Sequence, residues 1–280
     1  MTTTDRVTPG IVLVGGMRCG STSLFRHLGG HPDVHESSRK ETHFFDQHYG
    51  RGWGWYEEQL GRPVPGAVVF EATPSYLADG EAVERLAADL PDAHLVVSLR
   101  DPVDRAWSHY WMFREREHES LDPAEAFEAE LAGEPATGGR HRSYLRGGRY
   151  GPQLRRLYDL YPREQVHPLL FERYRSEPDL VVEELVASLG LADAPGLTAP
   201  GRVNAYQRFR WVGLRRWANR RLPKPLTDLV GRVNRVDATY PEPEPTLRTR
   251  LEEHFVESSL EAAELTGLDL ATAWPSLRGA

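Results

Sequence analysis

Ile11 to Val14 is a short β-branched, apolar run that ends in Gly15-Gly16 and continues through Met17-Arg18-Cys19-Gly20-Ser21-Thr22 into helically spaced apolar residues up to Leu28. Strand, glycine-rich turn and helix in that order constrain the chain more than any other feature, because they open a βαβ unit. Glycines in such a turn let successive backbone N–H groups point at one place, and the helix N-terminus adds about half a positive charge. The outcome is a cradle suited to phosphate or sulfate. Its frame fits GxxxxGK[ST] with Ser21 in place of the lysine, the residue that reaches the β- and γ-phosphates in nucleotide triphosphatases. ATP or GTP hydrolysis is therefore not expected, although Arg18 still puts a cation inside the loop. The competing reading is a glycine turn that merely joins strand to helix.

The rest of the chain continues the alternation. Val68–Phe70, closed by Glu71 and Pro74, and His94–Leu99 predict strands, as does Val166–Phe171. Glu81–Leu90, Gln153–Leu160, Pro178–Leu189 and Thr246–Leu265 predict helices, and Asp101-Pro102 predicts an N-cap and first helical position for a helix to about Glu117. The fold class expected is α/β: a P-loop-type three-layer fold with a central, mostly parallel sheet flanked by helices. With 280 residues, 40% of them hydrophobic, residues 1–280 are expected to form a single domain.

Composition narrows the function. The formal net charge is -7, which removes a global electrostatic case for nucleic acid. The single cysteine, Cys19, rules out an intrachain disulfide and a multi-cysteine metal site. The polar N-terminus with Asp5 and Pro9 is unlike a signal peptide, and no apolar run approaches about 18 residues. A cytoplasmic protein without integral membrane association is expected, and its oligomeric state stays open. Charge is uneven, however: Gly201 to Arg235 holds ten Lys or Arg residues against one acid, Asp228.

Four motifs in order resemble the PAPS-dependent sulfotransferases (PAPS, 3′-phosphoadenosine 5′-phosphosulfate). Residues 11–32, IVLVGGMRCGSTSLFRHLGGHP, are similar to their 5′-phosphosulfate loop. Lys40-Glu41-Thr42-His43-Phe44-Phe45-Asp46 resembles the KExHFFD signature of the heparan sulfate type, and Glu71-Ala72-Thr73-Pro74-Ser75-Tyr76 its next motif. Leu99-Arg100-Asp101-Pro102 with Arg105-Ala106-Trp107-Ser108-His109-Tyr110 resembles the 3′-phosphate segment. The ending Gly267-Leu268-Asp269-Leu270 and Trp274 is similar to bacterial members, so the resemblance spans nearly the whole chain.

What the resemblance implies is sulfuryl transfer from PAPS to an acceptor hydroxyl or amine, leaving 3′-phosphoadenosine 5′-phosphate (PAP), with no metal. It implies Glu41 as general base, Arg18 beside the leaving phosphate, and His43 and Asp46 supporting base and acceptor. Nucleotide contacts fall to Arg18, Cys19, Gly20, Ser21, Thr22 and Ser23 at one end, and to Arg100 and Ser108 at the other. Read on residues alone, Glu41 beside Lys40 is also consistent with a surface ion pair, and His43 with a packed core histidine. Phe44-Phe45 reads as core. Arginine at 18, where relatives carry lysine, keeps its charge but is a poor proton donor. Ala72 replaces a lysine of several glycan-modifying relatives.

Residues 201–245 fall where relatives cover the nucleotide and border the acceptor, with Arg202 a further phosphate contact. The basic, aromatic stretch 208–221 reads as a helix packed on the domain with its arginines at an acceptor rim, or as a membrane-surface helix. The expected acceptor is a small metabolite, a glycoside or other glycan, or a lipid headgroup. Two other classes stay open: a P-loop phosphotransferase, which would consume ATP, and a silent nucleotide-binding scaffold, which would bind PAP and transfer nothing.

Overall fold

The structure, a computed structural model, describes residues 6–133, 143–199 and 240–278, and between the last two only 207–209, 221, 223, 226–227, 230 and 235–237. Strands β1 (Pro9–Gly15), β2 (Val34–Glu36), β3 (Val68–Ala72), β4 (His94–Leu99) and β5 (Val166–Leu170) form one sheet in the order β2-β3-β1-β4-β5. Every neighbouring pair is parallel. The central strands are mostly apolar because both faces are covered. Alternation divides them cleanly: Val12 and Val14 of β1 and Leu95, Val97 and Leu99 of β4 enter one core layer. Ile11, Leu13 and Val96 enter the other.

Helices cover both faces, so the fold has three layers. The first layer takes residues from α2 (Trp53–Leu60), α3 (Gly80–Asp89), α6 (Tyr150–Leu160) and the long α9 (Pro245–Thr266). The second takes Leu24, Phe25 and Leu28 of α1 (Ser21–Leu28) and Val181, Val182, Leu185 and Val186 of α8 (Pro178–Ser188). Helix α4 (Pro102–Glu115) starts where the cap predicts: Asp101 Oδ1 accepts from the N–H groups of Val103 and Asp104 at 3.0 and 3.2 Å. Helices α5 (Pro123–Leu131) and α7 (Phe171–Ser176) complete the set used below.

Several boundaries move from the sequence reading. Glu71 does not close β3 but lies inside it, fully buried, and the strand runs on to Ala72. Phe171 opens α7 instead of ending β5, and α6 starts at Tyr150, before Gln153. The link from α1 to Glu41 contains the edge strand β2, which the sequence reading did not include. Three residues without periodicity leave little signal for such a strand.

Met1–Pro200 with Pro243–Ala280 forms one compact unit and Gly201–Glu242 another. Within the second, β6 (Gln207–Phe209) pairs antiparallel with β7 (Arg235–Asp237). Among the described residues, no helix is long and apolar enough to cross a membrane.

Candidate active site

Carboxyl ends of parallel strands are where open α/β sheets bind ligands, and the loops after β1, β3 and β4 converge there. Gly16 N–H donates to the Ser98 carbonyl at 2.7 Å, and the buried Ser98 hydroxyl donates to the Cys19 carbonyl at 2.7 Å. These two bonds hold the loop after β1 against the end of β4. Arg18 and Gly20 both adopt left-handed backbone, at φ 70° and 76°. Gly20 is needed at its position, since a Cβ there would stand 2.9 Å from the Phe171 ring. Helix α1 then starts at Ser21, and no side chain caps it. Its first N–H groups, from Ser21, Thr22 and Ser23, are the kind that an anion satisfies.

Arg18 reaches from this loop to α4, where its Nε donates to the Ser108 hydroxyl at 3.1 Å and its guanidinium lies 3.4 Å from the Met112 sulfur. Arg100 reaches in the opposite direction and donates to the Arg18 carbonyl at 3.2 Å. Its guanidinium also sits over the Phe171 ring, 5.0 Å from the centroid. Two cations and a hydroxyl thus gather where the phosphate cradle meets the start of α4. Cys19 is buried, and burial pushes its thiol up, away from thiolate chemistry. It belongs to the loop's packing through its backbone carbonyl.

The second group lies on the segment between β2 and α2. Asp46, with its side chain fully buried, holds His43 Nδ1 at 3.0 Å, and His43 Nε2 faces Glu41 Oε2 at 3.6 Å. That longer distance is an ion-pair contact, not a hydrogen bond. Lys40 Nζ donates to the other Glu41 oxygen at 3.0 Å. Glu41 and His43 both sit in left-handed backbone, at φ 50° and 52°, an arrangement uncommon for residues with a Cβ. Burial alone would raise Glu41, but His43 and Lys40 outweigh it and hold the carboxyl at about 2. Burial alone would lower His43, yet Asp46 and then Glu41 push it up to about 9. At neutral pH Glu41 is a carboxylate and His43 an imidazolium.

Ser75 belongs to the same group. Its hydroxyl donates to Asp46 Oδ2 at 2.7 Å and lies 3.4 Å from His43 Nδ1. Ser75 and Pro74 from the turn after β3 line one cleft together with Gly16 and Met17 from the loop after β1. Phe44 and Phe45 are core, as the sequence implies. Ala72 is fully buried and packs in the layer with α1 and α8. Among the described residues, no group of three or more His, Cys, Asp or Glu side chains is placed to hold a metal ion.

Sequence reading missed Ser75, Phe171 and the C-terminal anchor of the Arg100 turn. Glu172 Oε1 accepts the Asp101 N–H at 3.0 Å, while its Oε2 accepts from Trp274 Nε1 at 3.2 Å. Asp101 Oδ2 in turn accepts the Ser276 N–H at 3.1 Å. Arg202 and most of the stretch 208–221 lie outside the described residues.

Comparison with known proteins adds an independent line. Residues 54–195 match the sequence model of the sulfotransferase family. Human heparan sulfate glucosamine 3-O-sulfotransferase 3B1 is 39% identical over 102 residues, 36% of this chain and 26% of that protein. The chain thus spans about a quarter of that relative's own length. Human heparan sulfate glucosamine 3-O-sulfotransferase 5 is 28% identical over 275 residues, 95% of this chain and 74% of that protein. The crystal structure of a sulfotransferase from Alicyclobacillus acidocaldarius superposes with a TM-score of 0.71 at 26% identity, covering 95% of this chain and 98% of that one.

Proposed function

The chain belongs to the sulfotransferase family, and from that premise we propose that it transfers a sulfuryl group from PAPS to a hydroxyl or amine of an acceptor, with Glu41 as general base. The observation that carries this reading is the Asp46–His43–Glu41 line, held by Ser75 from the turn after β3, in a fold whose loop after β1 leads into an uncapped helix N-terminus.

The residues present fit the donor. The cradle from Arg18 to Ser23 offers backbone N–H groups and one guanidinium to the 5′ end. Arg100 and Ser108 offer a cation and a hydroxyl to a 3′-phosphate. When bound, PAPS supplies an activated sulfuryl group and departs as PAP. Glu41 accepts the acceptor proton as the new oxygen–sulfur or nitrogen–sulfur bond forms, and His43 holds that carboxylate ionised and aimed. Asp46 and Ser75 fix the imidazole. Arg18 offsets the charge left on the phosphate by electrostatics, not by proton donation. Positioning and charge stabilisation are the larger part of such in-line transfers.

For the acceptor we favour a small hydroxylated metabolite, a glycoside or a lipid headgroup. The acidic net charge of -7 and the buried Ala72 support that choice over a long polyanion. The relatives named for heparan sulfate glucosamine keep a glycan acceptor as the second reading. The test is transfer of radiolabelled sulfate from PAPS to a panel of a simple phenol, an alkyl glycoside and a heparan oligosaccharide. Labelling of none of them, or ATP consumption in place of PAPS, would count against the proposal.

A further inference from the structure

Beneath the Glu41–His43 pair lies a buried chain of hydroxyl groups that no step of the proposed transfer uses. Three consecutive backbone N–H groups meet three different hydroxyls: His43 donates to Thr73 Oγ1 at 3.4 Å, Phe44 to Thr42 Oγ1 at 3.3 Å, and Phe45 to the Tyr76 hydroxyl at 3.4 Å. Every hydroxyl must then send its own proton somewhere. Thr73 donates to Glu71 Oε1 at 2.5 Å and Thr42 donates to the same oxygen at 3.1 Å. Tyr76 lies 3.1 Å from Thr42 Oγ1 and has that oxygen to donate to. All three routes therefore end on one atom.

Glu71 is an unexpected residue in that place. It shares a face of β3 with Val69 and is fully buried beside the layer containing Phe44, Phe45, Tyr56 and Tyr76. Its other oxygen, Oε2, is buried without a hydrogen-bond partner. Buried polar groups are costly unless they are bonded, so a carboxyl kept here needs a reason. Burial drives it up to about 7, against the hydrogen bonds from Thr73 and Thr42 that pull it down. The titratable groups facing it are His43, Asp46 and the hydroxyls of Tyr56 and Tyr76. A neutral carboxyl, with its proton on Oε2 and Oε1 as acceptor, suits the three-hydroxyl chain.

We propose that Glu71 is a positioning residue for the proposed active site: its Oε1 terminates the hydroxyl chain that fixes the backbone of residues 43–45, and thereby the left-handed turn that aims His43 at Glu41 and Asp46. The role of the turn in catalysis rests on the function proposed above, while its geometry does not. Strained backbone persists only where the surroundings over-determine it. Here three hydroxyls and one carboxyl do so: Glu71, Thr73 and Tyr76 from β3 and the turn that follows it, and Thr42 from the segment itself.

The test is built on an amide and an apolar replacement. Glu71→Gln keeps an acceptor in the Oε1 position, whereas Glu71→Leu removes it. The primary readout is the His43 imidazole titration by NMR on labelled protein without substrate, its signal assigned by loss in His43→Gln. In wild type and Glu71→Gln it is expected near about 9; in Glu71→Leu it should fall toward an unperturbed value of about 6.5. Turnover should follow the same order, rescued to within about threefold by glutamine and lowered more than about tenfold by leucine, with PAP-induced stabilisation unchanged. An imidazole that still titrates near its wild-type value in folded Glu71→Leu overturns the proposal, as does a glutamine variant as damaged as the leucine one. Should Glu71→Leu fail to fold, Thr73→Val removes one hydroxyl at nearly constant volume, and an unmoved His43 titration there overturns it equally. Absence of sulfuryl transfer by wild type, with the titrations ordered as expected, counts against the function alone and leaves the positioning role standing.

Discussion

The Arg18 guanidinium donates to the Ser108 hydroxyl at 3.1 Å, joining the glycine loop after β1 to the second turn of α4 across 90 residues of sequence. Arg100 completes the link by donating to the Arg18 carbonyl. The residues proposed for the two phosphates of the donor are therefore held as one unit before any nucleotide arrives. Little reorganisation is needed on binding, which favours affinity.

Nucleotide discrimination should follow from this unit. PAP is expected to raise the melting temperature by mass action on the native state, and adenosine 5′-phosphosulfate, which lacks the 3′-phosphate, to do so far less. Arg100→Ala should remove most of that difference, since a charge-assisted bond contributes about 1.5–3 kcal/mol. Thermal shifts with both nucleotides measure it. Equal shifts in wild type would remove Arg100 and Ser108 from the 3′-phosphate.

The pH–rate profile should be lopsided. Glu41 at about 2 stays ionised through the whole acid range in which the protein is folded, so no acid limb is expected near an ordinary glutamate value. His43 at about 9 stays charged through neutrality and loses its proton only in alkaline solution. Turnover per substrate bound should be flat from about pH 5 to about pH 8 and decline above about 9. A midpoint near the unperturbed histidine value would mean that Asp46 and Glu41 do not hold the imidazole as the distances imply.

Stability should carry the mark of Glu71. Its value is about 7 in the fold against 4.5 unperturbed, so the folded state binds the proton more tightly than the unfolded chain. Its contribution is complete below about 4.5 and is lost as pH rises through about 7. A displacement of that size corresponds to an effect on the order of 3 kcal/mol. His43, also raised, loses its own contribution over a higher window, from 6.5 to about 9. Urea midpoints measured across the lower window should fall with rising pH in wild type and stay flatter in Glu71→Gln. Parallel slopes would show that Glu71 is already ionised in the fold.

How far the sequence discloses this depends on how local each signal is. His94–Leu99 reads directly as a strand, because six apolar or β-compatible residues end at a proline-marked cap. Asp101-Pro102 likewise announces α4 within two residues. Glu41, His43 and Asp46 are legible as a group because they share one seven-residue motif. Glu71 is misread as a strand boundary, since a charged residue after an apolar run ordinarily marks an exit to solvent. Here it is the buried end of a network whose other members, Thr42, Thr73 and Tyr76, are ordinary residues drawn from two separate segments. Their convergence depends on β3 lying beside β1 and on the chain returning past β2, and tertiary contacts of that kind leave no periodicity. The partners of Arg18 and Trp274 are hidden for the same reason.

The last expectation concerns Glu41→Gln. Glutamine keeps the shape of the side chain and removes the proton acceptor, so turnover with an aliphatic alcohol should fall. General-base help is worth about 10²–10⁴ in rate, and the lower end applies here. A carboxyl resting at about 2 is a weak base, since Lys40 and His43 stabilise its charged form. PAP-induced stabilisation should stay close to wild type, because Glu41 contacts Lys40 and His43 and is not among the proposed nucleotide ligands. A nitrophenol acceptor already ionised at the working pH needs no base and should lose much less. Misfolding would damage both reactions alike, so the ratio of the two losses isolates the chemistry. Wild-type turnover of the alcohol by this variant would take the base role from Glu41 and make His43→Gln the next comparison.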